Sequence, residues 1–207
     1  MRRDPRDLVR YSASERLKHW VVGISFILLA LSGLALFHPA FFPLTMLFGG
    51  GTWTRILHPI FGVIMAVFFI LMVLRFATHN LMKSADWEWL GRVKEMMDGN
   101  DESMPEQGKY NGGQKLLFWL LVLSMLILIP TGIVLWRAYF AFPVEMVRIA
   151  AVLHAATAVV MICLIFVHVY AAIWVKGTIR AMWYGTVTRA WARQHHRTWY
   201  EEVTKPQ

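Results

Sequence analysis

The chain has one cysteine, Cys163, among 207 residues. No disulfide can close within it, and no Cys-x-x-Cys-His run is present to hold a porphyrin through thioether bonds. Charge is scarce as well: Asp, Glu, Lys and Arg make up 16% of the residues, against about 25% in an ordinary soluble domain. A glycine-rich phosphate loop, a Cys/His zinc spacing and a nucleophile–base set are also missing, which removes the common enzyme readings. The apolar runs do not alternate with period two, so a membrane β-barrel is excluded. The first run is too long for the core of a signal peptide and shows no small-residue cleavage site, so it is expected to be retained. Neither an internal repeat nor a low-complexity tract is evident.

What is abundant is apolar surface, at 57% of the residues. Four runs reach the ~20 residues that a helix needs to cross a hydrocarbon core: Trp20 to Phe37, Leu57 to Phe76, Leu116 to Trp136 and Ile149 to Trp174. They predict an all-α integral membrane protein, a four-helix up-down bundle in a single domain over 1–207. The spans are expected at about 17–37, 57–77, 115–136 and 149–175, with a tail over 176–207. Trp20, Trp53, Trp119, Trp136 and Trp174 sit near the span ends, as interfacial aromatics should.

The formal charge of +8 follows topology. Eighteen of the 21 basic residues precede the first span, lie around the second connection or follow the fourth span; Arg55, Arg137 and Arg148 fall elsewhere. By the positive-inside bias both termini and the 77–115 segment are cytoplasmic, and no nucleic-acid partner is needed to explain the charge. Residues 38–56, rich in Pro, Gly and Phe, are expected to lie along the outer surface. Ala85 to Met97 reads as a short amphipathic interfacial helix, and so does the tail, with Trp183, Trp191 and Trp199.

The histidines inside the spans carry the functional signal, because such a residue is costly in lipid unless partnered. His154 and His168 are fourteen residues apart, close to four helical turns, so their rings leave one face roughly 21 Å apart. With the termini inside, His19 lies near the inner end of the first helix and His58 near the outer end of the second. His154 lies towards the outer end of the fourth helix and His168 towards the inner. The four sort into two level pairs, His19 with His168 and His58 with His154. Pairs roughly 20 Å apart cannot share one structural zinc. Two facing imidazoles suit the axial positions of a b-type haem lying between helices, which transfers electrons and has no position open for substrate. Taken singly, each histidine reads better as a helix-to-helix hydrogen-bonding group; the two levels carry the reading.

Small residues fit a flat ligand. Gly33 follows His19 by fourteen residues, on the same face and at the depth of the outer pair, where a porphyrin could lie against the backbone. Gly62, one turn after His58, and Gly132 on the third helix serve similarly, although each is equally a helix-packing glycine. Arg16, Arg55 and Arg137 are candidates to neutralise propionates or to anchor the interface. His38, His79, His195 and His196 read as solvated or interfacial, with His79 near an inner-side site.

Three stretches resemble a known family: Arg55-Ile56-Leu57-His58-Pro59, Gly108-Lys109-Tyr110-Asn111-Gly112-Gly113-Gln114-Lys115, and His168-Val169-Tyr170-Ala171-Ala172-Ile173-Trp174-Val175-Lys176-Gly177. Over nearly its whole length the chain is similar to the γ subunits of bacterial respiratory formate dehydrogenases, diheme b-type cytochromes with four transmembrane helices. The tail His195-His196-Arg197-Thr198-Trp199-Tyr200 is similar too, with Arg197 where a proline is expected; His38 stands where the family usually has an aromatic. The resemblance implies two haems b held by His19, His58, His154 and His168, in agreement with the pairing above. It also implies a quinone, menaquinone or ubiquinone, near the inner haem at Asn111, Gly113, Gln114 and beside His168. From the residues alone, Asn111-Gly112-Gly113-Gln114 is a helix cap and turn, although such a turn also offers N–H and amide groups to quinone oxygens.

The resemblance further implies an iron–sulfur β subunit and a catalytic α subunit outside the membrane, in a complex able to form a higher oligomer. Electrons from formate would cross the lipid of a bacterial inner membrane to quinone, which takes protons from the cytoplasm. The chain would not oxidise formate; it is the electron-transport and quinone-reducing subunit. Two other readings stay open. One is a diheme cytochrome b of a hydrogenase or another quinone-linked oxidoreductase. The other is a haem-free membrane anchor or transporter whose histidines bind protons or metal ions.

Overall fold

The computed structural model describes residues 7–98, 104–136 and 139–205. In chain order its elements are β1 (Leu8–Val9), α1 (Ala13–Phe37), a 3₁₀ helix (Pro39–Phe48), α2 (Gly51–Phe76), a 3₁₀ turn (Ala77–Asn80), α3 (Ser84–Gly91) and α4 (Val93–Met97). These are followed by α5 (Gly112–Leu135), α6 (Val144–Trp174), α7 (Thr178–Tyr184), β2 (Thr186–Val187), α8 (Arg189–His195) and α9 (Arg197–Thr204). The four long helices α1, α2, α5 and α6 are each long and apolar enough to cross a bilayer.

Two compact units divide the chain. The bundle unit comprises Leu17–Leu74 and Leu121–Val167. Its core joins Met65 and Phe69 of α2, Met125 of α5 and Met161 of α6, with Val22, Phe26 and Leu29 of α1 packed against them. All four long helices thus meet in one apolar core, a four-helix bundle. The thioethers of three methionines let helices of irregular contour share it. The outward faces are as apolar as the inward ones: Leu74 is 75% exposed and Phe166 71%. In water such continuous surface would drive aggregation; surrounded by hydrocarbon it needs no protein partner.

The second unit comprises Met1–Arg16, Arg75–Leu120 and His168–Gln207. It has its own core of Ala181, Val187, Trp191, Ala192 and Trp199, with Leu8, Tyr11 and Tyr200 packed on it. Leu8 pairs with Val187 and Val9 with Thr186 in a short antiparallel ribbon, which leaves the fold all-α and is too short to show as a period-two pattern. Gly185 makes the turn before β2 at φ 80°. A Cβ there would stand 2.6 Å from the Tyr11 carbonyl oxygen, so glycine is required for two reasons at once.

Helix starts differ from expectation where polar residues close the first turn. Ser12 and Glu15 form a reciprocal cap: the Glu15 N–H donates to Ser12 Oγ at 3.2 Å, and the Ser12 N–H donates to Glu15 Oε2 at 2.9 Å. This carries α1 back to Ala13. The start of α2 is at Gly51 and not near Leu57, because the Gly50 carbonyl accepts both the N–H and the hydroxyl of Thr54, at 3.0 and 2.9 Å. The preceding connection is a 3₁₀ helix closed by Gly49 at φ 85°. The single amphipathic helix expected over 85–97 is two, α3 and α4, and the tail is three, α7 to α9.

A buried ion pair fastens α3 to the first turn of α5. Lys115 Nζ lies 2.7 Å from Asp86 Oδ2, with the side chains 7% and 4% exposed. Asp86 Oδ2 also accepts the Lys83 N–H at 2.7 Å. Gly112 permits the approach, since a Cβ there would sit 2.5 Å from the Asp86 carbonyl.

Candidate functional site

His58 stands on α2 and His154 on α6, both within the bundle unit. Their ring centroids are 6.3 Å apart. Two imidazoles trans on one metal, each nitrogen about 2 Å from it and each ring centre about 1 Å further out, have centres about 6 Å apart. The separation therefore fits one metal held between the two rings. Each ring is also fixed from behind. His58 Nδ1 lies 2.8 Å from Ser32 Oγ on α1, and His154 Nδ1 lies 3.0 Å from Thr131 Oγ1 on α5. Every ring thus engages a hydroxyl through Nδ1, and Nε2 is the nitrogen left to face a metal.

Among the described residues no three His, Cys, Asp or Glu side chains gather as a multidentate cluster. A closed four-ligand zinc site needs such a cluster; a haem needs only two protein ligands, one above and one below its plane. The donor set therefore fits a bis-imidazole haem.

Comparison with known proteins gives the family. Residues 10–185 match the model of a family described as prokaryotic cytochrome b561. The chain belongs to that family. As such it is a membrane-embedded haem b protein of electron transfer. Among its relatives, the cytochrome b556(fdo) subunit of formate dehydrogenase from Escherichia coli K12 is 44% identical over 96% of this chain and 94% of its own length. The cytochrome b556(Fdn) subunit of the nitrate-inducible formate dehydrogenase of the same organism is 42% identical over 96% and 92%. The formate dehydrogenase cytochrome b556 subunit of Haemophilus influenzae is 41% identical over 94% and 83%.

The remaining sequence-predicted residues of the cytochrome fall into several environments. His19, on α1, belongs to the bundle unit, and its ring meets Trp20 edge-on at 5.7 Å. His168 belongs to the second unit, on the same unbroken α6 as His154. Gly33 and Gly132 give room to the ligand rings themselves: a Cβ would come within 3.3 Å of His58 Cε1 and 3.4 Å of His154 Cε1. Gly62 faces Leu29 at the ordinary contact distance of 3.9 Å, as a packing glycine does. Arg16 donates to the Trp183 carbonyl at 3.2 Å. Arg137 lies outside the described residues.

Asn111 and Gln114 cap α5 reciprocally. The Gln114 N–H donates to Asn111 Oδ1 at 2.9 Å and the Asn111 N–H to Gln114 Oε1 at 3.1 Å. Gly113 is needed because Trp89 Cζ3 would lie 3.0 Å from a Cβ there. The cap and turn read from these residues alone is therefore present.

One expectation is overturned. His196 is not solvated: it is 1% exposed, with Nδ1 2.7 Å from the Gly108 carbonyl and Nε2 3.2 Å from Arg10 Nη2. Burial, reinforced by the Arg10 charge and opposed by the Gly108 bond, pushes its pKa down to about 3. The ring is thus neutral at physiological pH, donating to Gly108 and accepting from Arg10. Arg10 also donates to the Lys109 carbonyl. Trp191 and Trp199, read from the sequence as interfacial, instead form part of the buried core beside this ring.

Sequence reasoning also missed Ser32 and Thr131. Each precedes a glycine in an apolar run, and the Ser-Gly and Thr-Gly dipeptides are the signal that could have been noticed.

Proposed function

We propose that this cytochrome is the membrane subunit of a quinone-reducing formate dehydrogenase, with two haems b, one between His58 and His154 and one between His19 and His168. The observation that carries the reading is the 6.3 Å separation of the His58 and His154 rings, each braced at Nδ1. For the second pair the support is that His168 follows His154 by four turns on α6, while His19 stands near the start of α1. Under the positive-inside bias those positions share the cytoplasmic level of a bacterial inner membrane, with both termini inside. The relatives that are cytochrome b556 subunits of formate dehydrogenases support membership of a complex with other subunits; the partners proposed are a catalytic subunit and an iron–sulfur subunit on the outer side.

Held by two imidazoles, a haem b supplies one-electron exchange between ferric and ferrous iron and offers no position to oxygen or substrate. The chain's own residues bind, orient and insulate. The four histidines would hold the two haems, with His58 and His154 inside the bundle unit. Asn111 and Gln114 use their side-chain oxygens as caps and still carry amide NH₂ groups, donors suited to a quinone carbonyl. Gly113 keeps that turn open, and His168 is assigned to the same site.

Co-expression with the two candidate partner subunits tests the reading. The expected result is a reduced-minus-oxidised b-type spectrum, two haems per chain, and reduction of both by formate. A co-purifying large subunit that oxidises dihydrogen would overturn the partner and leave the haem reading standing; a membrane fraction without the b band would overturn both.

The quinone assignment has its own test. Asn111→Asp keeps the capping oxygen and removes the amide donor, so stability should change little. The KM for quinone should rise by about two- to tenfold, the worth of one hydrogen bond, with haem reduction by the donor unaltered. Steady-state kinetics with a soluble quinone analogue would show it, and an unchanged KM would confine Asn111 to its structural role.

A further inference from the structure

We propose that Ser32 and Thr131 are positioning residues that hold both outer ligands, His58 and His154, in the tautomer with Nε2 bare and thereby lower the reduction potential of the metal between them. The inference rests on the reading that this pair binds a haem.

The direction of each hydrogen bond follows from counting protons. Ser32 Oγ–H donates to the Leu28 carbonyl at 2.6 Å, and Thr131 Oγ1–H donates to the Ile127 carbonyl at 2.7 Å. A hydroxyl has one proton, so towards each imidazole its oxygen accepts, and Nδ1 must carry the hydrogen. A neutral imidazole has one N–H, which leaves the Nε2 lone pair for the metal. Ser32 is 0% exposed and Thr131 is buried, so water does not compete for these bonds.

The neighbouring glycines complete the device. Cε1 lies between the two ring nitrogens, and an added Cβ at Gly33 or Gly132 would press on it at 3.3 or 3.4 Å. The arrangement occurs twice. A hydroxyl–glycine dipeptide on α1 serves the histidine of α2, and one on α5 serves the histidine of α6. A hydroxyl–glycine pair therefore braces each histidine, and His154 hydrogen-bonds the Leu128 backbone in addition.

An imidazole whose N–H has an acceptor is a stronger base and a better donor to iron. It favours the ferric over the ferrous state, so losing the acceptor raises the potential.

The test is a redox titration with low-temperature EPR on the full chain in its membrane complex. In Ser32→Ala and in Thr131→Ala, one and the same b haem should titrate at a higher potential, with a shifted low-spin EPR signal, while the other haem is unmoved. Ser32→Thr and Thr131→Ser, which restore the oxygen, should return both readouts towards wild type. Should the alanine variants lose that haem outright, the oxygen-retaining variants decide: wild-type potential in them supports the proposal, and a displaced potential overturns it. Unchanged or lowered potentials in the alanine variants, or shifts in two different haems, also overturn it. His58→Ala separates the two layers. If it removes a haem while Ser32→Ala titrates as wild type, only the positioning role is lost. If it removes none, the underlying haem reading is lost.

Discussion

On the two-haem reading proposed above, replacing His58 with alanine will remove one b-type haem and leave the second in place, and His154→Ala will remove the same one. Both rings address a single point, since their centroids are 6.3 Å apart, and a planar cofactor gripped from two sides cannot be held by one. The second haem should survive because His168 lies about four turns further along α6, roughly 21 Å by helical rise. Nor should the bundle collapse. Its core of Met65, Phe69, Met125 and Met161 does not include either histidine, and neither ring nitrogen is a helix backbone group. Haem extracted per mole of protein should halve, and a potentiometric titration should retain one component. Loss of both components, or of a different one in each variant, would break the pairing on which the electron path depends.

Asp86→Ala should destabilise the second unit by about 3–5 kcal/mol. The carboxylate meets the Lys115 ammonium at 2.7 Å with both side chains almost fully enclosed, and it also accepts the Lys83 N–H. Removing it strands a buried cation, a larger penalty than the net worth of the pair. The consequence should reach function, because Lys115 sits in the turn of α5 that Asn111 and Gln114 cap. Quinone reduction should fall along with the thermal midpoint of the solubilised complex. The double variant Asp86→Leu with Lys115→Met, which removes both charges, should recover much of the stability. A single variant as stable as wild type would show that water reaches the lysine.

Much of the candidate site was readable along the chain because hydrocarbon is a strict solvent. A span must be about 20 apolar residues long, so four such runs mean four helices, and a histidine inside one stands out against Leu, Ile, Val and Phe. Helical periodicity then places His154 and His168 on one face without any coordinates. Polar helix starts were less legible. Gly51 to Arg55 looks like loop by hydropathy, yet Thr54 closes the first turn of α2 on the Gly50 carbonyl. His196 was misjudged because a basic, amphipathic tail reads as solvated or interfacial, while in space Arg10 and the Gly108 carbonyl, both distant in sequence, enclose it.

Composition and hydropathy were enough to say that this is a helical membrane protein with four spans, because that follows from one helix at a time meeting one solvent; spacing and charge bias go on to predict four intramembrane histidines at two depths. Which atoms brace the histidines is a different kind of fact. A serine or threonine in an apolar helix bonds its own backbone in almost any context, and nothing local says that Ser32 and Thr131 also receive an imidazole. That depends on the contact of α1 with α2 and of α5 with α6 inside one core, so it was decided only when the helices packed.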